Sequence, residues 1–267
     1  MRTIILRVSF IVTACWTCRV TAEEAHHHHH SEHDDRVLHF SHPISTESPT
    51  PERQVRINYS YESIDTGEPD VQTLDVGGEY SFTPTFGVEF GVPYVIQSGS
   101  AGDSFGNIEV GLKMSNPAFV EKGILLAYGL EVILPTGDGA KGIGSDKEVE
   151  LEPFFGFGYK SGPWELVSFT AFGIPMNLPA GEEVVNELSY SGSLLYFFVP
   201  EFRGLLEVQG TTVLNGIDEG NTVVNLLPGV SYSPGGGSLW LALNVGFPIT
   251  GRHDHDLRVQ SSMIMHF

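Results

Sequence analysis

From Gln54 to Phe267 the chain places apolar residues at alternate positions, run after run. Val55, Ile57, Tyr59 and Tyr61 alternate with Arg56, Asn58, Ser60 and Glu62. Ile108, Val110, Leu112 and Met114 oppose Asn107, Glu109, Gly111 and Lys113. Leu257, Val259, Met263, Met265 and Phe267 alternate with Asp256, Arg258, Gln260, Ser262 and His266. A period of two puts successive side chains on opposite faces of a β-strand. Twelve such runs are present, the seventh, around Trp164, Leu166, Phe172 and Ile174, being the least regular. This excludes a helical fold, and no apolar stretch after the N-terminus is long enough for a membrane-spanning helix.

Soluble sandwiches alternate too. Three features favour a membrane barrel. Many runs exceed ten residues, the length a tilted strand needs to cross a bilayer. Aromatic residues gather near strand ends, as at Tyr94, Tyr128, Tyr159, Trp164, Tyr232 and Phe267. Charges sit deep within the polar faces, which suits a wet or networked lumen. The predicted fold is therefore all-β, a transmembrane antiparallel up-and-down β-barrel of about twelve strands over residues 54–267.

The connections alternate in length. Short turns fall at Thr83–Thr85, Lys160–Gly162, Pro200 and Pro234–Gly236. Longer links span Gln97–Phe105, Pro135–Lys147, Asn177–Asn186 and Asn215–Gly220. Outer-membrane barrels have short periplasmic turns and long outer loops. Asn116–Lys122 is longish for a periplasmic turn. An even strand number puts both chain ends in the periplasm, with Arg252–Asp256 on the outer rim. A terminal Phe267 on the lipid-facing side resembles the signal read by the barrel-assembly machinery, the expected partner beside the lipid bilayer.

Residues 1–22 read as a signal peptide: Arg2 and Arg7, an apolar run through Val8, Phe10, Ile11 and Val12, then Val20-Thr21-Ala22. Val12-Thr13-Ala14-Cys15 also fits a lipoprotein cleavage box. Both cysteines, Cys15 and Cys18, lie in this leader, so the mature chain is expected to hold no disulfide. Residues 23–53 are rich in His and acid, then in Pro, Ser and Thr. They read as a disordered periplasmic segment.

That segment carries the sharpest chemical feature. Neutral imidazoles bind zinc, copper or nickel, and His26, His27, His28, His29, His30, His33, His39 and His42 offer overlapping sites. A native metal-binding tail, an inserted tag and an inert solvated tail all fit the run. No cofactor is required. His253-Asp254-His255-Asp256 is a second candidate cation loop, or simply a solvated one.

The chain has 14 Lys plus Arg against 33 Asp plus Glu, a net charge of −19, which excludes nucleic acid as a partner. The predicted lumen acids are Asp75, Glu79, Glu89, Glu109, Glu131, Glu148, Glu150, Glu152, Glu187 and Glu207. The bases are Arg56, Lys113, Arg203 and Arg258. Such rings favour cations in an open pore; the alternative is a salt-bridged network that plugs a narrow barrel. Catalytic signatures are weak. No nucleophile elbow is present, and Gly137–Gly142 lacks the Ser or Thr and the spacing of a phosphate loop. No serine is obviously paired with His253, His255 or His266, as a membrane phospholipase would require, so no enzyme activity is expected.

Leu134-Pro135-Thr136-Gly137-Asp138, Gly106-Asn107-Ile108-Glu109-Val110-Gly111-Leu112-Lys113 and Phe90-Gly91-Val92-Pro93-Tyr94 carry a family resemblance. Over roughly residues 54–267 the chain resembles the outer-membrane proteins of the "MetA-pathway of phenol degradation" family. The resemblance implies a barrel and uptake of aromatic compounds, and assigns no catalytic residues. Two functions follow: a porin or transporter-like barrel for small solutes or divalent cations, linked to metal handling through the His-rich tail, or a non-conducting structural or metal-binding membrane protein.

Overall fold

The computed structural model describes residues 38–64, 69–98, 102–178, 184–234, 237–251 and 255–267. Twelve long strands close into one antiparallel barrel. They are β1 (Gln54–Ser63), β2 (Val71–Thr83), β3 (Phe86–Gln97), β5 (Ile108–Asn116), β6 (Ile124–Leu134), β7 (Val149–Ser161), β8 (Trp164–Met176), β9 (Glu187–Val199), β10 (Phe202–Val213), β11 (Thr222–Tyr232), β12 (Leu239–Pro248) and β13 (Leu257–His266). Each pairs with its sequence neighbours, and β1 pairs with β13 from Gln54↔His266 to Ser63↔Leu257 to close the ring. A thirteenth strand, β4 (Gly102–Phe105), pairs only with the end of β3. It lies where the sequence predicted a plain link, and Tyr94, on β3, hydrogen-bonds Asp103 there. No helix among the described residues is long and apolar enough to cross a membrane. A closed ring satisfies every strand edge internally, which a hydrocarbon environment demands.

The alternation reads directly onto two surfaces. Leu112, Met114, Tyr128, Phe155, Leu194, Leu243 and Met263 are exposed on the outside, while Gly111, Lys113, Leu125, Phe154, Ser193, Asn244 and Ser262 are buried within. At the short-turn end the outer face carries an aromatic chain: Trp164–Tyr196 at 4.6 Å, Tyr196–Phe198 at 5.0 Å and Phe198–Phe202 at 5.7 Å between ring centroids. Such a girdle suits a membrane interface. The longish Asn116–Lys122 turn is a 3-10 helix, Pro117–Lys122, whose first turn is capped by the Asn116 side chain accepting the Ala118 N–H at 3.0 Å.

β8 is one continuous strand, so the irregularity there is compositional, not structural. Its inward positions include Val167 and Ala171 rather than polar residues. With Leu125, Leu195 and Leu205 they make part of the lumen apolar, and Phe40 packs against that patch.

Phe40 corrects the expected disordered segment. Residues 1–37, including the expected signal peptide and His26–His30 and His33, lie outside the described residues. Residues 38–53, however, are folded into the barrel, with Phe40, His42, Ile44, Thr46, Ser48 and Thr50 all buried. The composition has no core of its own, but the barrel interior supplies one. Pro43, Pro49 and Pro51 carry no N–H that needs a partner, the Ser41, Ile44 and Ser45 amides find carboxylate acceptors on the wall, and those of Phe40 and Thr50 find hydroxyls within the loop.

Candidate functional site: a plugged, acid-lined lumen

The plug is a loop that enters and leaves at the short-turn end. At its base the Phe40 N–H donates to Thr50 Oγ1 at 3.0 Å, and that hydroxyl donates to the Leu38 carbonyl at 2.9 Å. Farther in, Glu207 of β10 accepts the N–H groups of Ser45 (2.9 Å) and Ile44 (3.3 Å), and the Asn244 amide at 2.9 Å. Ser45 Oγ donates to Gln260 at 2.8 Å. Glu165 accepts the Ser41 N–H at 2.9 Å and pairs with Lys160 at 2.6 Å. Arg203 bonds the Ser41 hydroxyl and lies 3.8 Å above the Trp240 ring.

The wall is shaped for this loop. A Cβ at Gly158 would stand 2.6 Å from the Phe40 ring, so only glycine allows the ring to lie flat on β7.

The wall from β2 to β7 carries the acids. Register places Glu79, Glu89, Gly111, Glu131 and Glu152 on one rung across β2, β3, β5, β6 and β7. A Cβ on Gly111 would meet Glu89 Cγ at 2.6 Å, so the glycine makes room for the two glutamates beside it. Lys113, 1% exposed, reaches Glu89 at 2.8 Å, Glu79 at 3.4 Å and the plug's Glu47 at 3.7 Å. Arg56 pairs with Glu47 at 3.2 Å. Burial alone would raise the Glu47 carboxyl, but Arg56 and Lys113 outweigh it and hold it down to about 2. A cavity of about 100 Å³ lies between Glu47 and this wall, edged by Asp75, Glu109 and Glu131.

At the short-turn mouth three imidazoles surround one carboxylate. Glu52 Oε2 accepts from His42 Nε2 at 2.9 Å and His266 Nδ1 at 3.0 Å; Oε1 accepts from His39 Nδ1 at 3.1 Å. Burial lowers His42, which favours its neutral form despite Glu52. Burial would raise Glu52, yet the three histidines hold it well below the usual carboxylate range.

Of the predicted lumen residues, Glu79, Glu89, Glu109, Glu131, Glu150 and Glu152 line the acidic wall, and Glu207, Lys113 and Arg203 grip the plug. Arg258 ties β13 to Glu62 at 2.9 Å and to Gln209 at 2.9 Å. Glu148 sits in the loop before β7, its N–H on Ser145 Oγ, and not on the strand. Of the predicted metal residues, His42 is buried inside, and His39 lies at the mouth with its side chain about half exposed. His253 is outside the described residues. His255 is buried at the long-loop rim, not displayed on a solvated loop. The sequence reading missed Glu47, Glu52, Gln54, Glu165 and His266 as site residues. The signal for His266 was its inward position in the last strand.

Two of the phrases that carry the sequence resemblance meet at the long-loop rim. Asn107 Oδ1 accepts the N–H groups of Gly137 (3.1 Å) and Ser145 (2.8 Å), and Thr136 Oγ1 accepts that of Ile108 at 2.8 Å. They are a loop clasp.

No family model and no curated protein matches the chain. Solved structures do. The COG4313 outer membrane channel from Pseudomonas putida F1 superposes with a TM-score of 0.62 at 15% identity, over 85% of this chain and 100% of that one. The KdgM porin in complex with disordered oligogalacturonate matches with a TM-score of 0.50 at 12% identity, over 79% and 99%. At these identities the likeness defines the fold class: an outer-membrane-type β-barrel.

Proposed function

We propose that the chain is a porin-like outer-membrane channel for small solutes, narrowed by its own N-terminal loop and favouring cations. The observation that carries this is the acidic rung Glu79–Glu89–Glu131–Glu152 inside a closed barrel with an apolar exterior. Carboxylates lining a lumen raise the local concentration of cations and repel anions. In this reading the short-turn end faces the periplasm, and Phe267 at the lipid-facing end of the last strand serves as the assembly signal. The His-rich segment before residue 38 collects divalent cations on that side. Kinship with the "MetA-pathway of phenol degradation" family, which rests on the resemblance of its phrases alone, would add aromatic solutes.

A second reading, a non-conducting structural or metal-binding barrel, is favoured by one observation: most of the loop 38–53 is buried inside the barrel. Reversal potentials of the bilayer-inserted chain in a salt gradient test both. The channel reading expects a small conductance with cation preference. Anion preference contradicts it, and no conductance from inserted barrels supports the second reading.

A further inference from the structure

We infer that His42, Glu52 and His266 are the ligands of a borderline divalent metal ion of the zinc class, which clips the plug to the closing seam of the barrel. The three come from the plug, from the residues just before β1 and from the end of β13. Register brings them together: Gln54 pairs with His266, and the Phe267 N–H donates to the Arg53 carbonyl at 3.1 Å. One ligand atom from each lies within 4.8 Å of the others.

The geometry is close to that of a bound ion. Zinc–ligand bonds of about 2.0–2.1 Å in a tetrahedron separate neighbouring ligand atoms by about 3.3 Å. The carboxylate oxygen stands 2.9 Å and 3.0 Å from the two ring nitrogens, a few tenths of an ångström short of that spacing, and the two nitrogens, within 4.8 Å of each other, would turn towards the ion as it binds. Two imidazoles on one such ion place their centroids about 5 Å apart, and those of His42 and His266 are 5.3 Å apart. Two ring nitrogens and one carboxylate select zinc, copper or nickel over calcium or magnesium. A fourth position is open to water or to His39, already 3.1 Å from the other Glu52 oxygen.

The outer shell is also in place. His42 Nδ1 faces the Gln54 amide at 3.2 Å and Arg56 at 3.3 Å, both donors, so the free imidazole carries its proton on Nε2. Metal binding at Nε2 moves that proton to Nδ1, which then needs an acceptor. Gln54 Oε1 is buried beside it with no hydrogen-bond partner. Rotation of the amide supplies the acceptor that metal-bound histidine requires. Arg56, a donor 3.3 Å from the same Nδ1, would have to swing its Nη2 away from the new N–H, with Glu47 still held through Nη1.

This site does not depend on conduction. The test uses the refolded full chain with His26–His30 and His33 replaced by Ser, so that those residues cannot contribute. Calorimetric titration with zinc chloride should show one equivalent bound. His266→Ala and Glu52→Gln should each weaken binding at least tenfold, and Gln54→Leu on the order of 10-fold. Zinc should also raise the temperature of the heat-modifiable gel shift in the parent and not in His266→Ala. A parent that binds no zinc, or a His266→Ala chain that binds equally well, overturns the inference, whatever the conductance shows.

Discussion

Glu207 accepts the backbone N–H of Ser45 at 2.9 Å, across 162 residues of sequence. This strand carboxylate holds the inner part of a loop that makes no strand of its own. Hydrogen bonds to a charged group contribute about 1.5–3 kcal/mol each. Glu207→Leu removes those to Ser45 and Ile44 together, and leaves Asn244 without its acceptor. Hydrogen exchange at the Ile44 and Ser45 amides should accelerate on the order of 10- to 100-fold. Amides in β10 should change little, because the strand ladders to β9 and β11 are untouched.

Lys113 is the buried cation shared by Glu47, Glu79 and Glu89. Removing one partner of a buried charge network leaves the rest uncompensated, a cost on the order of 3–5 kcal/mol. Lys113→Met should therefore lower the heat-modification temperature clearly. Adding Glu89→Gln should recover part of the loss, which a simple packing defect would not allow.

The Glu47 carboxyl is held to about 2, below its ordinary value of 4.5. A depressed folded value means that the contribution to stability is complete above about pH 4.5 and is lost as pH falls towards about 2. Wild type should exceed Glu47→Gln in thermal stability at neutral pH, and the gap should close across that acid window. A gap that widens on acidification contradicts the assigned Arg56 and Lys113 pairing.

Gly158 lets Phe40 lie on β7. Gly158→Val places a Cβ about where the ring stands, 2.6 Å from its nearest atom. Overpacking of this kind costs about 1–3 kcal/mol. It should expose residues 38–53 to added protease while the barrel itself stays resistant.

The barrel was legible because its signal is local. Leu112 and Lys113, or Met263 and Ser262, declare opposite faces within two residues. The plug was not legible, because its partners are distant. Pro43, Pro49 and Pro51 among Ser and Thr describe a chain without a core, and only the assembled wall shows that Glu165, Glu207 and Gln260 satisfy it. The apolar lumen patch disguised itself as strand irregularity, with Val167, Leu195 and Leu205 at positions where alternation predicts polar residues. Gly156 and Gly158, facing inward opposite Phe155, Phe157 and Tyr159, were the available hint: a bare wall needs something to cover it. His266 looked like an isolated histidine until the β1–β13 seam set it beside Glu52.

The central claim is a cation-favouring lumen throttled by residues 38–53. Planar-bilayer recording of the full chain beside a variant lacking residues 38–51 tests it most directly, with heat-modifiable mobility confirming that both barrels fold. The account predicts a small, cation-preferring conductance for the full chain and a severalfold larger one, still cation-preferring, for the variant. Equal conductance in the two, or preference for anions once the loop is gone, contradicts it.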